Sequence, residues 1–216
     1  MVIAIDGPAA AGKSTVARQL AARLGYVYLD SGAMYRAVAL LALRRGLPLQ
    51  DGAALEHLAA QTDIRFVPSP QGSRLLAAGE DLTEAIRTPE VSRAASIVST
   101  VPGVRREMVA QQRRLAQAGG TVGVVMEGRD IGTVVFPEAE IKIFLDASPE
   151  ARGRRRFEEN PKGPSLEQVT GEIRERDARD RLRPHSPLRQ AAGAIYLDST
   201  ELTTQDVVEK IAALAP

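Results

Sequence analysis

The sequence contains no cysteine and no tryptophan, and its cationic side chains are almost all arginine. Without cysteine the chain can form neither disulfides nor thiolate metal sites, and it has no cysteine nucleophile. It also lacks an apolar run long enough for a signal peptide or a membrane span. A net charge of +1 gives no overall field that favours nucleic acid or a membrane surface. These absences predict a cytoplasmic protein without a nucleic-acid or membrane partner, and the modest charge and single copy of the architecture favour a monomer.

A short loop near the N-terminus has the spacing of a nucleotide phosphate-binding loop (P-loop). In the stretch IAIDGPAAAGKST, Gly7, Gly12, Lys13 and Ser14 form the pattern G-x-x-x-x-G-K-S between an apolar run and a helical pattern. Glycines let backbone N–H groups turn towards an anion, and the following helix offers its positive N-terminus. In this pattern the lysine reaches the β- and γ-phosphates and the serine hydroxyl binds Mg²⁺.

Apolar runs alternate with helical stretches along most of the chain. This alternation predicts an α/β fold with a five-stranded parallel sheet flanked by helices, whose ligand crevice lies at the carboxyl ends of the strands. The predicted strands are residues 2–5, 26–29, 122–126, 141–145 and 194–197.

Two segments depart from that alternation. Between about residues 63 and 119, short strands divided by prolines and glycines predict an antiparallel meander, followed by two helices. The second of these helices runs from Pro102 towards the glycines at 119–120. Residues 152–165 combine clustered arginines with a Pro/Gly-rich stretch, which predicts an irregular, mobile lid.

Three polar segments predict a second, phosphate-bearing substrate. Residues 29–36 and 128–132 each follow a predicted strand, and residues 174–183 form a charged helix. Taken singly, they also fit a capped helix with a solvated arginine, a surface turn and a salt-bridged exposed helix. Their convergence with the P-loop on one sheet edge favours phosphoryl transfer, in which charge spreads over the transferring oxygens. The side chains concerned are Ser31, Arg36, Arg129, Asp130, Arg176, Asp180 and Arg183.

The same segments give the chain its resemblance to a known family. The motifs are IDGP with the P-loop at 5–15, LDSGAMYR at 29–36, IRT at 86–88, GRDIGTVVFP at 128–137, KIFLD at 142–146, the charged stretch 176–183 and LDST at 197–200. They span the chain in order, and the second and fourth are highly specific. The chain resembles the bacterial cytidylate kinases (CMP kinases) of the nucleoside-monophosphate (NMP) kinase superfamily.

The resemblance implies a P-loop NMP kinase fold, in which an antiparallel β plus helical NMP-binding domain and a short lid are inserted into the parallel-sheet core. The implied core is residues 1–62, 120–150 and 169–216, the NMP-binding insertion is 63–119, and the lid is 151–168. We expect one of the lid arginines to carry positive charge to the transferring phosphoryl group; the candidates are Arg152, Arg154, Arg155 and Arg156.

The implied activity is transfer of the γ-phosphoryl group of ATP to CMP or dCMP, with Mg²⁺ held by Ser14, in pyrimidine nucleotide metabolism. The implied ATP-binding residues are Gly7, Pro8, Ala9, Ala10, Ala11, Gly12, Lys13, Ser14 and Thr15. The implied CMP-binding residues are Ser31, Arg36, Arg129 and Arg183 at the phosphate, Arg176 and Asp180 at the sugar, and Ser96, Arg105 and Asp130 at the cytosine. Lys13, Arg129, Arg176 and Arg183 are the predicted catalytic residues. Glu127 stands where the resemblance implies aspartate, which leaves its role beside Mg²⁺ open.

The mechanism implied by these residues needs no general base. Neither His57 nor His185 lies in a motif typical of a base, and an acceptor phosphate already carries a nucleophilic oxyanion. Catalysis would come from alignment, charge stabilisation and exclusion of water. Two alternatives stay open: a small P-loop kinase acting on UMP or on a non-nucleotide acceptor, and a regulatory module that binds ATP and a partner without turnover. Retention of Lys13, Ser14 and the arginine clusters argues against the module.

Overall fold

The computed structural model describes residues 1–69, 72–118 and 123–215. Its strands are β1 (Val2–Asp6), β2 (Val27–Asp30), β3 (Ile64–Ser69), β4 (Gly72–Ala77), β5 (Glu80–Asp81), β6 (Val124–Gly128), β7 (Ile141–Asp146) and β8 (Ile195–Asp198). Its helices are α1 (Lys13–Leu24), α2 (Ser31–Arg44), α3 (Gly52–Gln61), α4 (Pro89–Val98), α5 (Pro102–Ala118), α6 (Pro149–Glu158), α7 (Leu166–Leu182) and α8 (Thr204–Ala212). The described residues form two compact units, one of residues 1–28 and 123–215 and one of residues 29–69 and 72–118.

The larger sheet is parallel and has the strand order β2-β6-β1-β7-β8. Its central strand β1 pairs with β6 on one side and with β7 on the other. The run Ile3-Ala4-Ile5 is fully buried because both faces of this strand are covered. One face packs against α1 and α8, with Leu20 and Val207 in the same apolar cluster as Ile3 and Ile5. The predicted five-stranded parallel sheet flanked by helices is confirmed, although residue 122, where one strand was predicted to begin, lies outside the described residues.

The second unit combines the small antiparallel sheet β3-β4-β5 with α2 to α5. The predicted meander is confirmed, and its last strand is only two residues long. The unit has its own apolar cluster, in which Met34, Leu58, Ile86 and Met108 are buried. The predicted glycine stop of the last helix, at residues 119–120, lies outside the described residues.

The prediction of an irregular segment at residues 152–165 is wrong for its first half, which is helical. Helix α6 begins at Pro149 because the Ser148 hydroxyl accepts a hydrogen bond from the N–H of Ala151 and proline favours the first helical turn. Residues 159–165 are the exposed connection between α6 and α7. The functional division into core, insertion and lid stays a prediction. Within the described part of the chain, no helix is both long and apolar enough to cross a bilayer.

Candidate active site

The P-loop lies where β1 ends and α1 begins, and Gly7 approaches the carboxyl end of the neighbouring strand β7. A β-carbon on Gly7 would overlap the backbone carbonyl oxygen of Leu145 in β7, so only glycine fits there. Ala10 and Gly12 both have left-handed backbone conformations, with φ of 58° and 86°. Gly12 is the N-cap of α1 and supplies no side-chain cap. The first turn of α1 is therefore suited to an anion rather than to a capping side chain.

Lys13 is buried in the P-loop among charged groups of both signs. Its ammonium donates a hydrogen bond of 2.6 Å to the carbonyl oxygen of Pro8. Burial, followed by repulsion from Arg129 and Arg176, lowers the pKa of Lys13 to about 7, although Glu127 opposes this shift. Phosphate oxygens arriving next to the ammonium would favour its charged form. The geometry therefore supports the predicted phosphate contact.

Glu127, at the end of β6, is buried beside the predicted metal ligand. The hydroxyl of Ser14 donates a hydrogen bond of 2.5 Å to Oε1 of Glu127. The phenol of Tyr28 lies 3.4 Å from the same oxygen. Sequence reasoning left the role of this residue open, whereas the structure places its carboxylate in contact with Ser14.

Arg129 and Asp180 form an ion pair between the loop after β6 and helix α7. The distance from Nε of Arg129 to Oδ2 of Asp180 is 2.9 Å. Burial alone would raise the pKa of Asp180, but the positive charges of Arg129 and Arg176 hold that pKa below its ordinary value. The positive charge of Arg176 also lowers the pKa of Lys13. Arg129, Arg176 and Asp180 are thus brought together with the P-loop, and Asp180 is buried, so this face of α7 is not a solvated salt-bridged surface.

Asp130 and Arg183 lie in the same unit, on a segment fixed by Asp6. The carboxylate of Asp6 accepts hydrogen bonds from the backbone N–H groups of Ile131 and Gly132, at 2.8 and 2.7 Å. Burial raises the pKa of Asp6 to about 6, while these two N–H groups oppose the shift. A guanidinium nitrogen of Arg183 lies 3.7 Å from a carboxylate oxygen of Asp130. Asp6 was quoted only as part of a motif, and its role in holding this loop was not predicted.

Ala9 is held by a buried ion pair that sequence reasoning missed. Its N–H donates to Asp177 at 3.1 Å, and its carbonyl oxygen accepts from Arg152 at 2.9 Å. The N–H of this predicted ATP-binding residue is therefore directed at Asp177. The sequence carries no signal for the pair, because its members are far apart in the chain and each lies in a run of charges.

The predicted acceptor-site residues of the second unit lie on α2, α4 and α5. Asp30 caps α2 by accepting from the N–H of Ala33, and it also forms a 2.8 Å ion pair with Arg36. Arg36 is therefore paired rather than solvated. Ser31, the first residue of α2, is buried.

Arg105 and Ser96 are buried in the same unit. The guanidinium of Arg105 donates to the carbonyl oxygen of Ser99 at 3.0 Å and lies 5.5 Å from the ring centre of Tyr35. This stacking gives the arginine a fixed plane, which suits recognition of a flat base.

The predicted lid arginines have different surroundings. Arg152 is buried against Asp177, and Arg155 donates hydrogen bonds to the hydroxyl and carbonyl oxygens of Ser199. Arg156 forms an exposed ion pair with Glu159, and Arg154 is exposed. Arg152 therefore cannot serve as a mobile lid cation unless its buried ion pair breaks.

Comparison with known proteins identifies the family of the chain. A family model described as cytidylate kinase matches residues 3–216. The cytidylate kinase of Solibacter usitatus is 53% identical over 216 residues, covering 98% of this chain and 90% of the relative. That of Bacillus licheniformis is 52% identical over 215 residues, covering 98% and 94%. A solved shikimate kinase from Bacteroides thetaiotaomicron has a TM-score of 0.51 at 13% identity and covers 99% of this chain and 97% of its own, which shows likeness of fold alone. The family match and the near-full-length relatives agree: the chain belongs to the cytidylate kinase family.

Proposed function

We propose that this protein transfers the γ-phosphoryl group of ATP to CMP or dCMP, giving ADP and CDP or dCDP, in pyrimidine nucleotide metabolism. One observation carries the proposal: Lys13 is buried in a P-loop whose Ser14 contacts Glu127, and Arg129 and Arg176 act electrostatically on its ammonium. Cations gathered at a P-loop are suited to phosphate ligands, because charge is spread over the transferring oxygens in phosphoryl transfer. The nearly full-length similarity to cytidylate kinases supports CMP as the acceptor.

The chemistry is a direct displacement at phosphorus. A phosphate oxygen of CMP forms a bond to the γ-phosphorus of ATP while the bond from that phosphorus to the β–γ bridging oxygen breaks, and ADP leaves. The acceptor oxygen is already an anion at neutral pH, so no side chain has to remove a proton. Lys13, Arg129, Arg176 and Arg183 act by stabilising charge on the transferring and leaving oxygens and by holding them in line.

We assign the acceptor contacts as three groups. Ser31, Arg36, Arg129 and Arg183 bind the CMP phosphate, Arg176 and Asp180 bind the sugar, and Ser96, Arg105 and Asp130 recognise the cytosine. The burial of Ser31, Ser96, Arg105 and Asp130 supports these roles, because buried polar groups of this kind are suited to selective hydrogen bonding.

We also propose that Ser14 binds Mg²⁺ and that Glu127 supports it. Mg²⁺ prefers oxygen ligands and is usually held by one or two protein groups together with substrate phosphates. The hydroxyl of Ser14 and the carboxylate of Glu127, in contact at 2.5 Å, fit this requirement. When bound, Mg²⁺ would neutralise charge on the β- and γ-phosphate oxygens. A cytoplasmic location and a monomeric state stay predictions.

An ADP-release assay with CMP, dCMP, UMP and AMP as separate acceptors tests the proposal. We expect ADP to appear rapidly with CMP and dCMP and much more slowly with the other two. Faster turnover of UMP would assign a different nucleotide kinase. ATP binding measured by calorimetry without turnover of any acceptor would favour the regulatory module.

A further inference from the structure

Arg152 of α6 and Asp177 of α7 form an ion pair in the interior of the first unit. Their side chains are only 2% and 3% exposed, and the closest nitrogen–oxygen distance is 2.5 Å. Nε of Arg152 donates to the carbonyl oxygen of Ala147 at 2.8 Å, so that both ends of the guanidinium are used. Neither side chain is among those assigned to ATP or CMP.

The pair holds the P-loop backbone at one residue from both sides. Asp177 accepts from the N–H of Ala9, and Arg152 donates to the carbonyl oxygen of the same residue. Ala9 lies between Gly7 and Lys13, in the middle of the loop that carries the phosphate-binding amides. A shift of this peptide would move the following amides and the Lys13 ammonium with it.

A purely stabilising role does not account for this arrangement. Desolvation of two buried charges cancels much of their attraction, and a well-packed apolar pair of similar size often stabilises a fold as well or better. The geometry instead points to a positioning function. We propose that Arg152 and Asp177 are positioning residues that fix the P-loop for the donor phosphates, and that they anchor it to the two helices flanking residues 159–165. The proposal rests on the assignment of ATP to this loop.

The same two helices offer a matched control. Glu150 of α6 and Arg174 of α7 form an ion pair at 2.7 Å, but both side chains are 59% exposed. This pair joins the same elements as Arg152 and Asp177 without touching the P-loop. Removing it tests the effect of a helix–helix ion pair alone.

The decisive variant is the double substitution R152M/D177L. It removes both charges together, so that neither is left buried and unpaired, and it leaves the backbone groups of Ala9 without these two partners. We expect the KM and the calorimetric Kd for ATP to rise at least tenfold, while the KM for CMP at saturating ATP stays within twofold. The thermal midpoint is measured alongside, because the unpaired backbone groups of Ala9 cost stability, whereas removal of the desolvated charges restores part of it. The control E150A/R174A should keep both KM values and the Kd for ATP within twofold of the wild type.

A second variant covers the case in which the double substitution does not fold. Arg152→Lys keeps the charge, but a single ammonium cannot occupy the positions of both Nε and Nη1, so we expect a several-fold rise in the ATP KM. Unchanged ATP KM and Kd in a folded variant would overturn the proposal, as would equal losses for ATP and CMP. A wild-type protein that binds ATP but does not phosphorylate CMP would contradict the proposed function instead, and ATP binding by the variants would still test the positioning role.

Discussion

The buried ammonium group of Lys13 should lower the free energy of unfolding, although the same group serves catalysis. The pKa of Lys13 is about 7 in the folded state against 10.5 ordinarily, so between these values the unfolded chain binds more protons. The contribution of Lys13 therefore makes the free energy of unfolding rise with pH through this window, by up to about 1.4 kcal/mol per pH unit. We expect Lys13→Met to be more stable than the wild type at pH 7, by a margin that shrinks towards pH 10. Its kcat should fall at least about a hundredfold.

Urea unfolding at several pH values, together with the ADP-release assay, measures both effects. Lys142→Met is the matched control, because that half-exposed lysine donates a hydrogen bond to the carbonyl oxygen of Ala192 rather than to a P-loop group. It should alter neither kcat nor the pH dependence. A stability difference for Lys13→Met that does not vary with pH would contradict the depressed pKa.

Asp130 is expected to distinguish cytosine from uracil. Cytosine presents an amino donor at position 4 and an acceptor at N3, and uracil reverses both. An ionised aspartate only accepts and an arginine only donates, so Asp130 and Arg105 suit cytosine and leave uracil with unpaired, desolvated groups. Asp130→Ala should lower kcat/KM for CMP by roughly tenfold to a hundredfold. UMP should be affected less, and an equal loss for both would assign Asp130 to the phosphate site or to the fold.

At the scale of elements, the segment between α6 and α7 is the part expected to move. Residues 159–165 are exposed, whereas Arg152 anchors α6 to the protein interior. Hydrogen exchange should therefore be fast at 159–165 and slow around Arg152 in the free protein. A bisubstrate analogue that joins adenosine and cytidine through phosphates should slow exchange at 159–165 and leave the centre of α6 unchanged. Unaltered exchange at 159–165 would argue against a closing lid.

The elements differ in how far the sequence could predict them. The P-loop, the parallel strands and the meander follow from local spacing, and all were predicted. Helix α6 was missed although Ser148, Pro149 and Glu150 form a recognisable helix start, because the arginines beyond them were read as a mobile segment. The contacts of Ala9 with Asp177 and of Ser14 with Glu127 join residues more than 100 positions apart. No local pattern specifies such contacts, since they depend on how the strands and helices assemble.

At the scale of the whole molecule, the residues that the structure describes form two apolar clusters, one in each compact unit. Because each unit buries its own core, we expect two transitions in differential scanning calorimetry rather than one. The P-loop belongs to the first unit, so a non-hydrolysable ATP analogue with Mg²⁺ should raise one transition selectively. At a hundredfold excess over its Kd, the added stability is about 2.7 kcal/mol. A single transition that shifts as a whole would show that the two units unfold together.

Because lysine occurs only at Lys13, Lys142, Lys162 and Lys210, acylation of amines can report the depressed pKa of Lys13. An amine reacts only when it is unprotonated, a state available to roughly half of the Lys13 side chains near pH 7 but to far less than 1% of ordinary lysines. The other three lysines are half-exposed or exposed. Acetylation of Lys13 by a limiting amount of acetic anhydride should therefore have a midpoint near pH 7, as read by peptide mass spectrometry over a pH series, and ATP should protect the residue. A midpoint near pH 10 for Lys13 would contradict this expectation. A midpoint near pH 7 would make acetylation of Lys13 a direct measure of how much of the enzyme is free of donor nucleotide.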